Sequence, residues 1–353
     1  PTYVGENKND PPCHAVEDPP DKLKRVLVDS VASQANRQEE ALTAARSTER
    51  IDFSDVYIDL RETVADLDVL SATEMPHRLS DAILRDSEID GVTFKEPDLG
   101  KAILAATRAD LSPLLEASPT TVLYGCWFSG WGIPNPLRLQ RCAVADIWAE
   151  NAAIGQAVGG RIDPLGIEAV SLYKAKDGDW TALEDEVELD NGGKPKKFGK
   201  EPSAIKHGNI PPSIHTQGIT AETITLRCAL PLAAVRRLRF ACGDRDDAGL
   251  AYVVALALVA RALQHEAGSS LRSRCDLISA GPLSFEVIDR EGAITSEVID
   301  TEQAIDLLHE AEDRMGHTGL AIHQRIDVKP SKKLKDLIAE NRRQQLAAGE
   351  VAT

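Results

Sequence analysis

Aromatic residues are scarce, at 4% of 353 positions. That excludes a nucleic-acid surface built on many stacked rings, and leaves phosphate and backbone contacts to carry any such surface. Positive charge is short as well. Forty Lys and Arg stand against 56 Asp and Glu, a formal net charge of -16 and a pI near 5.0, which excludes the broad basic face usual in nucleic-acid binders. The deficit is uneven, because residues 1–100 hold eleven basic against twenty-two acidic side chains and the remainder hold twenty-nine against thirty-four. A local basic groove therefore stays open. The six cysteines, Cys13, Cys126, Cys142, Cys228, Cys242 and Cys275, include no C-x-x-C pair, against a zinc knuckle or thioredoxin-type motif. Reduced thiols in a cytoplasmic protein are the expectation. The most apolar run, Ala248 to Ala260, lies between Asp247 and Arg261 and falls short of the roughly 20 residues that span a bilayer, so it reads as a core helix. No signal peptide is expected, and because the chain opens on Pro1 rather than Met an N-terminal segment upstream of it is expected to be missing from this sequence.

Catalytic signatures are missing too. The sequence has no G-x-x-x-x-G-K-[ST], no G-x-G-x-x-G after a strand, no G-x-S-x-G and no H-E-x-x-H, so no phosphate loop, dinucleotide fold, nucleophile elbow or zinc protease is indicated. His309 with Glu310 and Asp313, or His265 with Glu266, lack a second His at helical spacing and read as exposed helix polarity. No metal and no cofactor is expected, and the chain reads as a non-enzyme.

What stands out is Lys194 to Ser213, KPKKFGKEPSAIKHGNIPPS. It sets Lys194, Lys196, Lys197, Lys200 and Lys206 against Glu201 alone, and Gly193, Gly199 and Gly208 forbid a long helix there. His207, Asn209 and the amides around Gly208 add donors suited to phosphate oxygens. A solvated basic loop is the plainer reading, above all for Lys194 to Lys200. The group Arg236, Arg237 and Arg239 places two guanidinium groups opposite Leu238 and Phe240. Phosphate binding and pairing with Asp244, Asp246 and Asp247 both remain open.

Periodicity predicts a strand at Val26–Val28 followed by a helix capped by Asp29 or Ser30 and running through SVASQANRQEEALTAA. Further strands are predicted at Asp55–Leu60, Thr121–Phe128, Ala169–Lys174, Ile219–Leu230 and, as an exposed strand, Leu320–Val328. Cys275–Ala280 and Ser284–Asp289 read as a pair turned by Gly281 and Pro282. Helices are predicted over 75–86, 98–116 with a bend at Pro113, 137–158 closed by Gly159 and Gly160, 253–263, 301–314 and 332–347. Strands and helices mix without a strict βα repeat, which gives an α+β class with helices on one face of a sheet.

Five segments in order, VLVDSVASQANRQEEAL, HRLSDAILRDS, TVLYGCW, GRIDPLGI and PSAIKHGNIPPS, resemble the backbone subunit of the type I-G (formerly I-U) CRISPR Cascade, a RAMP-superfamily protein of the Cas-seven group. The resemblance implies an RRM-like (ferredoxin-like) palm sheet with inserted loops and a thumb-like hairpin. The implied division is an extended arm over residues 1–25, a palm with insertions, including the basic loop 191–213, over 26–330, and a C-terminal helix over 331–353. It implies a guide-RNA (crRNA)-binding subunit in antiviral defence whose copies polymerise along the guide and present it to target DNA. Other Cascade subunits are implied as partners, namely a large subunit and a fused guide-processing and capping subunit, with cleavage left to a recruited helicase-nuclease. The implied RNA contacts are Gln34, Asn36 and Arg37, then His77, Arg78 and Arg85, then Arg161, then Lys206, His207 and Asn209. Arg236 and Arg237 join them from the reading of the residues, while Arg37 and Arg78 also read as structural ion-pair partners. The family's opening strand is expected before Pro1. Two other classes stand beside this one: a cytoplasmic RNA-processing hydrolase using His207 with a nearby acid, and a protein scaffold touching no nucleic acid.

Overall fold

The computed structural model describes residues 13–18, 20, 24–64, 68–167, 170–176, 178–183, 185–199, 205, 207–208, 210–241 and 243–347. The chain forms two compact units. The smaller joins Pro1–Val26 to Ala149–Thr225, and the larger joins Leu27–Trp148 to Leu226–Thr353. The class is α+β, with helices and several small sheets interleaved along the chain.

In the larger unit the first helix, Val31–Ser47, begins where Ser30 accepts the N–H of Ser33 at 3.3 Å. That bond satisfies one of the donors a helix start leaves open. Its buried face is only partly apolar, with Gln34, Gln38 and Glu39 beside Ala35, Leu42 and Ala45. It packs on the helix Asp244–Ala267, whose first turn carries Asp244, Asp246 and Asp247, anions matched to the positive end of the helix dipole. By length and composition this helix would cross a bilayer, but 72% of its most apolar stretch is buried inside the protein, and it packs against the helix Thr301–Gly316 as the centre of the core.

A five-stranded sheet completes the unit, in the order Val69–Ser71, Asp55–Asp59, Arg325–Pro330, Ser87–Ile89, Val92–Thr93. Asp55–Asp59 and Arg325–Pro330 run parallel, from Arg325 opposite Asp55 to Val328 opposite Ile58. Val56, Ile58 and Val328 are buried between the layers. The segment expected as an exposed strand at 320–328 is thus an interior strand starting at Arg325. Its neighbour lies some 270 positions upstream, which local pattern does not reveal.

Other expectations are corrected by local chemistry. Residues 137–158 are not a helix. Val144–Glu150 buries every second residue, Ala145, Ile147 and Ala149, the period of a strand. Asn151 then turns at a φ of 47°, and Gly159 and Gly160 lie inside the strand Ala153–Arg161. Thr121–Phe128 is not one strand either, because Pro119 opens a short helix, Pro119–Tyr124, in which every residue is buried, leaving no period to read. Gly125, at a φ of 82°, ends it; a Cβ there would lie 2.6 Å from the Leu139 carbonyl oxygen. Only Cys126–Trp127 is extended. The helix expected over 75–86 is a 3-10 turn, Arg78–Ser80, and the short helix Ala82–Arg85 capped by Asp81. The one over 98–116 is two helices, Asp98–Ala105 and Ser112–Ala117, with Pro113 starting the second rather than ending the first. Cys275–Leu277 pairs with Ser269–Arg272, and Ser284–Ile288 with Ile294–Val298, so the two segments expected to pair form separate hairpins. The cap of the helix over 301–316 is Asp300 rather than Thr301, in a reciprocal box with Gln303.

Arg78 joins three parts of this unit. At a φ of 52° its guanidinium reaches both carboxylate oxygens of Glu39, at 2.5 and 2.6 Å, lies 5.3 Å from the Tyr124 ring centroid and donates to the Gly125 carbonyl. Arg78 is 6% and Glu39 4% exposed, and burial pushes the Glu39 carboxyl up while Arg78 holds it down. Removing one member of such a pair strands the other charge. Arg78→Ala is expected to lower stability by about 3–5 kcal/mol, and Glu39→Leu with Arg78→Met by clearly less, measured by urea denaturation.

Candidate nucleic-acid interface

In the smaller unit the strands Ala153–Arg161 and Ile210–Thr220 form a long antiparallel ribbon, from Ala153 opposite Thr220 to Arg161 opposite Ile210, with irregularities at Ile154/Gln156 and Gly159/Arg161. At its end one carboxylate joins two of the sequence motifs. Asp163 accepts the Leu165 N–H at 2.9 Å on Oδ1 and the Gly208 N–H at 3.2 Å on Oδ2, which clasps IDPLG to HGN. These backbone donors, Leu165 first, hold the Asp163 carboxyl below its usual range, with His207 adding to them. Gly208 takes a φ of 100°, a conformation that favours glycine. Arg161 and His207 are exposed beside this clasp, and so are the apolar side chains of Val158, Leu165, Ile210 and Ile162, the last at 83%. Lys206 and Asn209 lie outside the described residues.

The described part of the basic segment is a built hairpin rather than an open loop. Asp190 Oδ1 accepts the N–H groups of Gly192 and Lys194 at 2.8 and 2.9 Å. Lys197–Gly199 then pairs with Leu172–Lys174. Glu188 takes Lys196 at 3.1 Å and Lys174 at 3.2 Å, so the preceding acidic stretch neutralises part of the basic run. Lys200 lies outside the described residues.

The remaining candidates lie in the larger unit and divide by burial. Gln34, at 0% exposure, donates to Asp29 at 2.5 Å and accepts from Gln264 at 2.8 Å. Gln264 in turn accepts from Gln38, which accepts from Tyr124. Arg37 closes the chain with a 3.1 Å bond to Asp29 and one to the Ser270 carbonyl. Gln34 and Arg78 thus spend their polar atoms inside the core, and neither presents a face to an RNA backbone. Arg85 bonds Asp86 through two nitrogens, at 3.2 and 2.7 Å, and reaches the Gly130 carbonyl. Asn36 and His77 are exposed. Arg236 and Arg237 are exposed while Leu238 and Phe240 are buried, and among the described residues neither arginine has an ion-pair partner. Of the arginine trio only Arg239 meets the acid cluster, with Asp246 at 3.8 Å.

Sequence reasoning missed two features. One is Trp127, exposed on the short strand Cys126–Trp127 beneath Arg138. The other is a cavity of about 410 Å³ lined by Arg46, Glu49, Arg50, Ile51, Asp52, His309, Glu312 and His323. There His323 lies between two acids, with Nδ1 3.5 Å from Asp52 and Nε2 3.9 Å from Glu312. The Glu312 Oε1 atom is buried without a hydrogen-bond partner among the described residues. No group of three His, Cys, Asp or Glu side chains placed to hold a metal ion occurs among the described residues.

Burial first, then the nearby Asp52 and Asp313 charges, push the Glu312 carboxyl from 4.5 up to about 7. Between those two values the unfolded chain gives up this proton while the folded chain keeps it, so stability falls as pH rises through the window and levels off above it. Glu312→Gln is expected to leave stability unchanged near pH 4 and to raise it by about 1–2 kcal/mol near pH 8, a figure reduced for screening at the open side of the cavity. Thermal melts across that pH range measure it.

Arg161 and His207 in one unit, and His77, Arg236 and Arg237 in the other, stand exposed. Residues 1–154 match the model of the family described as CRISPR-associated protein GSU0053 (Cas_GSU0053). Over that stretch, less than half of the chain, it is similar to a CRISPR-associated protein, consistent with a RAMP-type subunit of the Cas-seven group. The match spans the first three of the five motifs, and GRIDPLGI and PSAIKHGNIPPS lie beyond it. No curated protein matches the chain.

Proposed function

We propose that this chain is the guide-RNA-binding backbone subunit of a type I-G CRISPR Cascade complex, polymerising along the guide and holding it open for pairing with target DNA. The observation that carries the reading is the family match over residues 1–154. In this reading the palm is RRM-like, built on the neighbouring strands Arg25–Asp29, Val144–Glu150 and Thr223–Ala229. The ribbon Ala153–Arg161 with Ile210–Thr220 takes the part of the thumb. Sequence is read by base pairing, while Arg161, His207, Arg236 and Arg237 hold phosphates. The chain is not an enzyme, works in the cytoplasm, and assembles with further copies of itself, the large subunit, a guide-processing and capping subunit and a recruited helicase-nuclease.

One observation favours the second reading, an RNA-processing hydrolase: His207 lies beside the Asp163 carboxylate. That carboxylate already serves as a backbone clasp, which accounts for its position. Cleavage of a guide precursor that vanishes in His207→Ala would favour catalysis.

Phosphate contacts reveal themselves through salt, because each one lost lowers the slope of log affinity against log salt by about 0.7 on a single strand. Filter binding of the assembled complex on its guide should show a slope smaller by roughly 1.4 in Arg236→Ala with Arg237→Ala, and similar weakening on unrelated guide sequences. An unchanged slope removes those arginines from the interface, and a complex that purifies free of RNA defeats the reading.

A further inference from the structure

Trp127 sits where a tryptophan is seldom left. Of the chain's four, Trp180 is also exposed, at 41%, whereas Trp131, four residues on from Trp127, is 1% exposed, edge-on to Phe94 and Phe128 at centroid distances of 5.8 and 5.5 Å. Trp127 is 53% exposed, yet it is firmly placed. Its strand pairs with Arg138–Leu139, Trp127 directly opposite Arg138. Its backbone N–H donates to the Ser80 hydroxyl at 3.3 Å. Ser80 is itself fixed, since its hydroxyl donates to the His77 carbonyl at 2.7 Å and its carbonyl accepts the Trp131 indole N–H at 2.9 Å. Buried Cys126 and Phe128 flank the residue on either side.

The ring's partner is a cation. The Arg138 guanidinium lies 5.2 Å from the Trp127 ring centroid, a cation–π contact on one face. His77, tied to the same serine, is exposed. A site that docks another protein's apolar side chains would show a contiguous apolar patch; between Phe94 and Leu139 no large hydrophobic residue besides Trp127 stands exposed, and the nearest before that segment is Val92, at 46%. A rigid ring, one face held by a guanidinium and much of the rest open to water, suits a flat π-system with a negative charge attached.

We propose that Trp127 and Arg138 form a nucleobase-stacking platform, Trp127 taking the face of one base and Arg138 the adjoining phosphate. This rests on the reading of the chain as an RNA-binding subunit and adds base contact to it, where composition had suggested phosphate contact alone.

The test is filter binding of the full chain to oligoadenylate over a range of salt, with an abasic oligomer of equal length as control. Loss of one stacked base corresponds to roughly a 5- to 150-fold weaker affinity. W127A is expected to lose affinity in that range with an unchanged salt slope, W127F to stay within a few-fold of the parent, and R138Q to lower the slope. The abasic oligomer should bind the parent and W127A alike. Equal melting temperatures for the parent and W127A keep the comparison clear of misfolding. If W127A does not fold, indole quenching by oligoadenylate in the parent, absent in W127F, reads the same contact. Oligoadenylate bound equally by the parent and W127A overturns the platform and leaves the RNA-binding reading standing. No binding by the parent, alone or in the assembled complex, defeats both. A W127A chain that keeps RNA but loses a partner subunit makes this a protein-docking site and overturns the proposal.

Discussion

A buried fork of two charges organises the larger unit. Arg78 and Glu39 meet through paired hydrogen bonds in the protein interior, and neither tolerates the loss of the other, because a charge taken from water must find an opposite charge or donors at close range. The requirement fixes more than the pair. It holds the first helix in rotation about its axis, sets Arg78, at the head of the turn 78–80, in a left-handed backbone conformation, and places the Tyr124 ring and the Gly125 carbonyl where the guanidinium needs them. Three separate sequence motifs thus converge on one side chain, and Gly125, with no room for a Cβ, passes that placement on to Cys126 and Trp127.

The same economy explains the polar face of the first helix. Gln34, Asn36 and Arg37 read from sequence as contacts for RNA. Asn36 is exposed, but Gln34 and Arg37 join Gln38 in a network with Asp29, Tyr124 and Gln264. A polar residue on a helix looks alike in sequence whether it faces water or a satisfied neighbour, and Gln264 lies 230 positions away. The surface arginines Arg236 and Arg237 were legible for the opposite reason: Leu238 and Phe240 beside them bury on a short element, and that local alternation forces the charges outward.

Strands with a clear period of two, such as Asp55–Asp59, and helices with caps, such as Val31–Ser47, could be read from the chain with little error. Segments lost to local reading were those whose burial erased the period, as in Pro119–Tyr124, or whose partner was distant, as in Arg325–Pro330. The Trp127–Arg138 contact escaped because it depends on a two-residue strand pairing across a turn-rich loop. The clasp at Asp163 was hidden likewise, since 45 residues separate that carboxylate from the Gly208 amide it holds.

The parallel pairing of Asp55–Asp59 with Arg325–Pro330 sets the order in which the protein can be made. Some 270 positions separate the two strands, so the larger unit stays unsealed until Arg325–Pro330 has followed Asp55–Asp59 off the ribosome. The first half of the sequence is therefore no autonomous module. It lacks the helix Asp244–Ala267 against which its own first helix packs.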